Sequence, residues 1–434
     1  MRVVRLSCFI ALALWLLVLS FNRHMVLEAN LPYEEGFQVA PQPTPAAPSQ
    51  PLTLREISRQ DIPMPADTPA AHASFLLADK GGNLRAFWFA GSRESGEDVQ
   101  IVMAARPHGS DVWSQPTVAV NRHAAYEALG FGGWIRRLGN PVAWIDAQGR
   151  THLYVVATGL GGWAASRVLH LMEEPVDSRL RGNDKSRGND KSGGNGAALF
   201  KPIGFLPLSP LFNLSTLVRG TPIPMQDGGV MLPAYFELGI KYPLAIRLDS
   251  NGELVQSRDA VVRMAGNLAS LQPTVAVASA TSATAYLRDN SGDKKLRFVQ
   301  TVDAGQSWQN VPSSQGAMDD KNEDGGADFV INPDSSLAAV RLHGQTLLIH
   351  NPQTSGRHRL VIEASQSGLR GFKRLATLEY EPEKLEDVEF NEYSYPSAVV
   401  VSSKDGDKLH VSYTYQKRFI RHVVLAVERQ AAAQ

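Results

Sequence analysis

Few short motifs in this sequence combine residue types at a spacing that could do chemistry. It has no His-Glu-x-x-His motif, no paired Cys/His spacing for zinc, no Gly-x-Ser-x-Gly nucleophile turn and no Walker-type phosphate loop. The only cysteine, Cys8, stands in an apolar N-terminal run, so the rest of the chain has neither a disulfide nor a thiol nucleophile. We therefore expect no requirement for a metal or a cofactor.

The segment Thr301–Trp308 is the most informative short pattern in the chain. It reads S/T-x-D-x-G-x-x-W. Asp303 can accept backbone N–H bonds across a turn, Gly305 can adopt a positive φ, and Trp308 can cover the neighbouring sheet. The pattern predicts a β-hairpin. Weaker relatives at 108–113 and 365–372 indicate that the hairpin unit repeats.

Bulk composition and patterning predict an all-β protein. The chain has 434 residues and equal numbers of basic and acidic residues, 43 each, which does not suggest a nucleic-acid partner. Its 36 glycines and 26 prolines fit a turn-rich chain. Short apolar or alternating runs recur between turn signals, and helical periodicity is scarce. The runs are 74–77, 86–90, 99–104, 152–157, 230–235, 284–287, 298–301, 347–350 and 399–402.

The N-terminus has the features of a targeting element. Arg2 and Arg5 precede an apolar run over 6–21, which reads as an export signal or an uncleaved membrane anchor. We expect a signal or anchor segment over 1–29 and a Pro-rich linker over 30–55. A propeller domain is expected over 56–428, followed by a tail over 429–434. The sequence RGNDKS occurs twice in tandem, so a low-complexity surface insertion is expected over 177–197.

Several stretches resemble the sialidase-like family of BNR (Asp-box) repeat proteins. The pattern at 301–308 matches the family's Asp box. Residues 72–75, 87–101, 139–144, 214–219, 271–273, 332–336, 393–396 and 420–423 complete the likeness, which spans about 65–425. The resemblance implies a six-bladed β-propeller with its site at the axis.

The resemblance also implies a chemistry. Sialidases bind a sugar carboxylate with an arginine triad, use an aspartate as the acid/base, and use a tyrosine activated by a glutamate as the nucleophile. Matched positions give Asp98 as the acid/base and Tyr395 as the nucleophile, with Glu94 and His72 as further catalytic candidates. The substrate-binding candidates are Arg93, Arg219, Glu237, Gln272, Arg288, Asn332 and Arg357.

Two departures from the family pattern bear on activity. The motif that supplies the first triad arginine is missing, and His72 lies near its place. Gln272 stands where the activating glutamate is expected, and an amide cannot take the tyrosine's proton as a carboxylate can. Glu94, Glu237 and Glu392 are the acids available to replace it.

The sequence therefore predicts a sialidase-like glycoside hydrolase acting on an acidic sugar of a glycoconjugate, of the exo-α-sialidase type. Two alternatives stay open: a glycan-binding or assembly propeller without turnover, and a polysaccharide lyase with His72 and Tyr395 as base and acid. The expected partners are a carbohydrate and, through the N-terminal segment, a membrane. The expected location is the bacterial cell envelope, anchored in the inner membrane and facing the periplasm, or secreted if the segment is cleaved. The oligomeric state is left open.

Overall fold

The structure, a computed structural model, describes residues 36–39, 51–129, 135–159, 161–174, 199–208, 213–311, 329–381 and 391–429. The predicted signal or anchor segment, most of the predicted linker, the RGNDKS insertion and all but the first residue of the predicted tail lie outside these ranges. Within the described part of the chain, no helix has both the length and the apolarity needed to cross a membrane.

Six antiparallel sheets make up the fold, which confirms the all-β, six-bladed β-propeller. Blade 1 has strands β1 to β4, which cover Ala70–Ala78, Leu84–Gly91, Gln100–Arg106 and Thr117–Val120. Blade 2 continues with β5 to β8, Arg137–Ile145, Thr151–Thr158, Ser166–Glu173 and Phe200–Phe205. Blade 3 has β9 to β13, Thr216–Val218, Ile223–Pro224, Val230–Phe236, Tyr242–Leu248 and Val261–Arg263.

The remaining blades follow the same plan. Blade 4 has β14 to β17, Ser270–Val277, Ala283–Asp289, Arg297–Thr301 and Gln309–Asn310. Blade 5 has β18 to β21, Ala338–Leu342, Gln345–His350, Arg359–Ser365 and Lys373–Tyr380. Blade 6 has β22 to β24, Tyr393–Ser403, Gly406–Tyr415 and Phe419–Arg429. Between the strands, the described residues form one α-helix, Arg122–Leu129, and short 3₁₀ turns at Gly162–Ala165 and Arg258–Ala260.

Blade 6 closes the ring by taking its outer strand from the N-terminal side of the propeller. This strand, β25, covers Leu52–Asp61 and pairs with β24 from Leu52↔Arg429 to Asp61↔Arg421. The inner strands of successive blades contact one another, with β11 rather than β9 of blade 3 touching β14 of blade 4, and β22 contacts β1. Clusters of buried apolar side chains lie between adjacent sheets, so burial of each blade's faces depends on its neighbours.

The predicted start of the propeller at residue 56 is too late. The strand β25 begins at Leu52, because its alternating apolar residues pair with the edge of blade 6. Phe37, in the predicted linker, is fully buried in the cluster between blades 3 and 4. Its N–H donates to Ala280 O at 2.6 Å. The segment 36–39 is therefore packed on the propeller. The linker was predicted from its proline content, which does not reveal that Phe37 is buried against the blades.

The Asp-box hairpin, Thr301–Trp308, forms as the pattern predicts. Asp303 Oδ1 accepts from the Ser307 N–H at 2.9 Å, and Gly305 has φ 91°. The Trp308 ring is 7 % exposed, and its Nε1 donates to Gly305 O at 3.1 Å. The carboxylate fixes the turn and the indole seals it against the cluster between blades 3 and 4.

Bulges on the axial strands determine which side chains reach the centre. Registers shift between His72 and Phe75, Gly139 and Val142, Leu271 and Thr274, and Ser394 and Ser397. Each bulge contains one non-glycine residue with positive φ, namely Ala73, Asn140, Gln272 and Tyr395. A bulge re-aims a side chain and interrupts pairing, and such backbone conformations persist where the surrounding structure holds them.

Candidate active site

A cavity of about 210 Å³ lies at the end of the propeller axis where these bulges meet. Larger recesses of about 370 and 310 Å³ lie at the blade periphery, and the first of them borders the Asp-box hairpin. We take the axial cavity as the candidate site because it collects ionisable and hydrogen-bonding groups from separate blades. Its lining is His72, Phe89, Glu94, Asn140, Trp163, Leu217, Tyr235, Glu237, Leu271, Gln272, Arg288 and Tyr395.

Tyr395 lies in a cationic environment. Its ring centroid is 5.3 Å from the guanidinium carbon of Arg219 and 5.9 Å from that of Arg357. Its hydroxyl has no hydrogen-bond partner among the described residues, and the half-buried ring borders the cavity. A phenol that borders the cavity beside two guanidinium groups is a candidate nucleophile for an anionic substrate.

Arg288 is the predicted triad arginine that borders the cavity. Its Nε donates to Asp334 Oδ1 at 2.6 Å, and one Nη1 hydrogen donates to Gln272 Oε1 at 3.1 Å. A guanidinium has five N–H donors, so donors remain for an anion in the cavity. The Arg288 side chain is 15 % exposed, so it can contact a ligand without losing its ion pair.

Arg357 and Glu392 form a partly buried pair beside Tyr395. Arg357 Nη1 donates to Glu392 Oε1 at 2.7 Å, and Nη2 donates to Asp334 O at 3.2 Å. Glu392 also accepts from Ser394 Oγ and lies 3.4 Å from Lys417 Nζ. Burial would raise the pKa of Glu392, but His72, Arg357 and the other neighbours lower it to about 2. This carboxylate stays ionised and neutralises part of the cationic cluster.

Arg219 is a buried cation behind Tyr395. It is 5 % exposed, its Nη2 donates to Pro396 O at 2.9 Å, and its Nε has no partner among the described residues. Burial lowers the pKa of Arg219 to about 10. No carboxylate within the described ranges pairs with Arg219. Its side chain does not border the cavity. Its position suits electrostatic support of Tyr395 better than direct contact with a substrate.

Glu237 borders the cavity with a carboxylate that makes no hydrogen bond or ion pair to the described residues. Its backbone N–H donates to Ser215 Oγ at 3.2 Å, which fixes the residue just after β11. Burial raises the pKa of Glu237 above the ordinary carboxyl value, and Lys241 and Arg288 only partly oppose this. A carboxyl group of this kind is suited to proton donation.

His72 packs on Tyr395, with ring centroids 4.3 Å apart. It is 3 % exposed, and its Nδ1 has no partner among the described residues. Burial lowers the pKa of His72 to about 4, so the imidazole is neutral near pH 7. Its Nε2 lies 3.9 Å from Glu94, which in turn lies 3.1 Å from Lys417 Nζ.

Asp98 and Arg93 are exposed and do not border the cavity. Asp98 accepts from the Ser92 N–H at 2.7 Å and from Ser92 Oγ at 2.9 Å. Burial acts to raise the pKa of Asp98, but the hydrogen bonds together outweigh burial and lower that pKa. Asp98 was selected because its position in the chain matches the family's aspartate. That match gave no information on the local turn, in which the carboxylate accepts both hydrogen bonds from Ser92.

Asn332 also lies outside the cavity lining. It is 1 % exposed, and its Oδ1 accepts from the Ser335 N–H at 2.7 Å in the turn before β18. Arg359, two residues after Arg357, stacks on the ring of Tyr380, with its guanidinium carbon 4.3 Å from the centroid. Both residues have local contacts that account for their positions.

Tyr235 and Asn140 are cavity residues that were not selected from the sequence. Tyr235 is 2 % exposed, and its hydroxyl accepts from Gln272 Nε2 at 3.4 Å and from Asn140 Nδ2 at 3.5 Å. The sequence does contain a signal for three of the bulge residues, namely the proline that follows each of them. Asn140, Gln272 and Tyr395 each precede a proline on an axial strand, have positive φ and border the cavity.

The fold is that of a sialidase-like propeller. The chain belongs to the family described as BNR repeat-like domain, whose model matches residues 82–411. No curated protein matches the sequence.

Solved structures support the same fold. Hadza microbial sialidase Hz136 has a TM-score of 0.57 and 16 % identity over 84 % of this chain and 66 % of that one. Trypanosoma rangeli sialidase in complex with sialic acid has a TM-score of 0.55 and 13 % identity over 88 % and 59 %. A Dyadobacter fermentans protein of unknown function has a TM-score of 0.53 and 12 % identity over 87 % and 100 %. The chain thus covers less than two thirds of the length of either sialidase.

Proposed function

We propose that this protein is a glycoside hydrolase that cleaves an acidic sugar from a glycoconjugate, as an exo-α-sialidase does. The observation that carries the proposal is the position of Tyr395, which borders the axial cavity within 6 Å of the guanidinium carbons of Arg219 and Arg357. A neutral tyrosine is a suitable nucleophile for an anionic sugar because, unlike a carboxylate, it does not repel the substrate.

The reaction would proceed in two displacements. Tyr395 Oη attacks the anomeric carbon, the glycosidic C–O bond breaks, and the departing oxygen takes a proton from a carboxylic acid. Water then attacks the anomeric carbon and the bond from that carbon to Tyr395 Oη breaks. The same carboxylate accepts the water proton, and the phenol takes back the proton that it gave up in the first displacement. Arg288 would hold the sugar carboxylate, since it is the arginine that borders the cavity and has unused donors.

Glu237 is the preferred proton donor in this scheme. Glu237 borders the cavity, and burial raises its pKa. Asp98 is exposed outside the cavity, and its hydrogen bonds to Ser92 lower its pKa. Gln272 cannot take the phenol proton from Tyr395. The neutral imidazole of His72, packed on the Tyr395 ring, is the base closest to that role.

A glycan-binding propeller without turnover is the second candidate function. The observation that favours it is Gln272, which stands on its bulge with its amide already bonded to Tyr235 and Arg288. Without a carboxylate at this position, a bound sugar acid could remain uncleaved. Under either function, we propose a location in the cell envelope, because the apolar run over 6–21 follows two arginines.

The test is turnover of a fluorogenic α-sialoside by the full-length chain. Tyr395→Phe removes the nucleophilic oxygen and keeps the ring, so kcat should fall by at least about a thousandfold. Tyr413→Phe is the matched control, because that buried hydroxyl bonds Glu379 on the outer part of blades 5 and 6. An equal loss in both variants would contradict the assignment of Tyr395.

The products separate the remaining possibilities. Binding of sialic acid without turnover by the unmodified protein would favour the second function. An unsaturated product that absorbs ultraviolet light, formed from a uronate polymer, would instead identify a lyase in which His72 and Tyr395 move the protons.

A further inference from the structure

Two neutral amides from different blades converge on one phenol in the cavity wall. Gln272 Nε2 and Asn140 Nδ2 approach the Tyr235 hydroxyl to 3.4 and 3.5 Å. Both amides stand on bulges with positive φ, 48° for Gln272 and 41° for Asn140. Such backbone strain is retained where the surrounding structure fixes it, here in residues whose side chains meet at the axis.

The orientation of the Gln272 amide is determined by Arg288. A guanidinium can only donate, so the Gln272 oxygen must face Arg288 Nη1, 3.1 Å away, and its NH₂ group faces Tyr235. The lone pairs of Tyr235 are then used by NH₂ donors. Its own O–H has no acceptor among the described residues.

Tyr235 consequently offers the cavity a hydrogen-bond donor and no acceptor. Burial raises its pKa, so the phenol remains protonated. Arg288 borders the same cavity and keeps N–H donors beyond those used by Asp334 and Gln272. The wall therefore presents a neutral O–H donor and a cationic N–H donor that are linked through one amide.

We infer that Tyr235 is a substrate-binding residue that donates its O–H to the carboxylate of a sugar acid held at the same time by Arg288. A carboxylate has two oxygens and accepts several hydrogen bonds, so it can bridge the two donors. The inference rests on the proposed function only in using the same cavity, and it holds whether or not the bound sugar is cleaved.

The experiment is calorimetric titration of the full-length protein with N-acetylneuraminate and with its methyl ester, which keeps the sugar but loses the charge. Tyr235→Phe should weaken binding of the acid by about tenfold or more and binding of the ester by less than about twofold. The matched control is Tyr286→Phe, because that buried hydroxyl donates to Gly368 O at 2.7 Å, away from the cavity. It should leave both affinities unchanged.

A second variant keeps the test valid if loss of the phenol disturbs folding. Gln272→Glu would accept the Tyr235 proton and add a negative charge, so affinity for the acid should fall more than affinity for the ester. Equal losses for acid and ester in both variants, or no binding of the acid to the unmodified protein, would overturn the inference. Selective binding without sialoside cleavage would support it and count against the hydrolase alone.

Discussion

The Asp-box hairpin and the axial cavity use similar residues for different purposes. In the hairpin, Asp303 accepts from Thr301 and Ser307, and the Trp308 N–H bonds Gly305. Around the cavity, His72 Nδ1 in its wall and Arg219 Nε behind Tyr395 are buried without partners among the described residues. Buried polar groups are normally satisfied, so their persistence without partners at the axis points to a ligand, whereas the satisfied hairpin has a structural role.

The charges show the same contrast. Asp303 and Asp98 have lowered pKa values because turn hydrogen bonds stabilise the carboxylate against a smaller effect of burial. Glu237 has a raised pKa because burial prevails. The two turn aspartates are thus shifted towards the ionised form, and the cavity glutamate is shifted towards the protonated form. A carboxylate that is held by its own turn is a weaker candidate for proton donation than one that borders the cavity with a raised pKa.

Substitution of the hairpin tryptophan should have the largest effect on stability and none on ligand binding. Trp308→Ala empties a packed site, and loss of a buried Trp costs about 3 kcal/mol or more. The change should appear as a lower midpoint in urea unfolding. Sugar-acid affinity measured well below the new midpoint should be unaltered, and an altered affinity would show that hairpin and cavity are coupled.

Replacement of the cavity arginine should have the opposite profile. Arg288→Met keeps the length of the side chain and removes the donors, so affinity for N-acetylneuraminate should fall by about fiftyfold. Arg359→Met is the control, since Arg359 stacks on Tyr380 away from the cavity. Equal affinities in the two variants would remove Arg288 from the site.

The buried histidine should make the axial region sensitive to acid. His72 has a pKa of about 4 in the folded protein and about 6.5 when unfolded. The unfolded chain therefore takes up a proton first, and stability is lost as pH falls from 6.5 towards 4, by roughly 3 kcal/mol from this residue.

The measurement for His72 is the free energy of unfolding between pH 7 and pH 4. His72→Gln should flatten this pH dependence, although other buried histidines, including His170 and His410, will keep part of it. The exposed His123→Gln is the control and should follow the unmodified protein. Identical curves for all three proteins would show that His72 is not held neutral by folding.

The last prediction concerns Glu237 and the pH profile of turnover. Its raised pKa means that the proton is present below that pKa and lost as pH rises through it, so the alkaline limb of kcat/KM should report this group. Glu237→Gln should lower kcat by about a hundredfold or more and remove that limb. Asp98→Asn should leave the limb in place, and its disappearance there would return the acid/base role to Asp98.

Local sequence patterns predicted much of the fold. The run 152–157 lies within the fully buried strand β6, and the run 347–350 lies within β19. The Asp box predicted its hairpin because the hydrogen bonds of Asp303 and of the Trp308 indole are made within eight residues. Closure by β25 was missed, because Leu52–Asp61 pairs with residues more than 350 positions away.

The candidate site was only partly predictable for the same reason. The motif comparison selected six residues that the structure places around one cavity, namely Tyr395, Arg288, Gln272, Glu237, Glu94 and His72. The comparison could not show that the side chains of Asp98 and Asn332 form hydrogen bonds within local turns. Tyr235 looked like an ordinary core aromatic, since its role depends on amides from β5 and β14.

The sequence by itself determined the blades, since alternation, turn residues and the Asp box act over a few residues and carry their own hydrogen bonds. The tertiary structure alone decided which polar side chains lack local partners and meet at the axis. Burial and pairing are properties of the closed ring, so a carboxyl group has a lowered pKa in a hydrogen-bonded turn and a raised pKa where it is buried in the cavity.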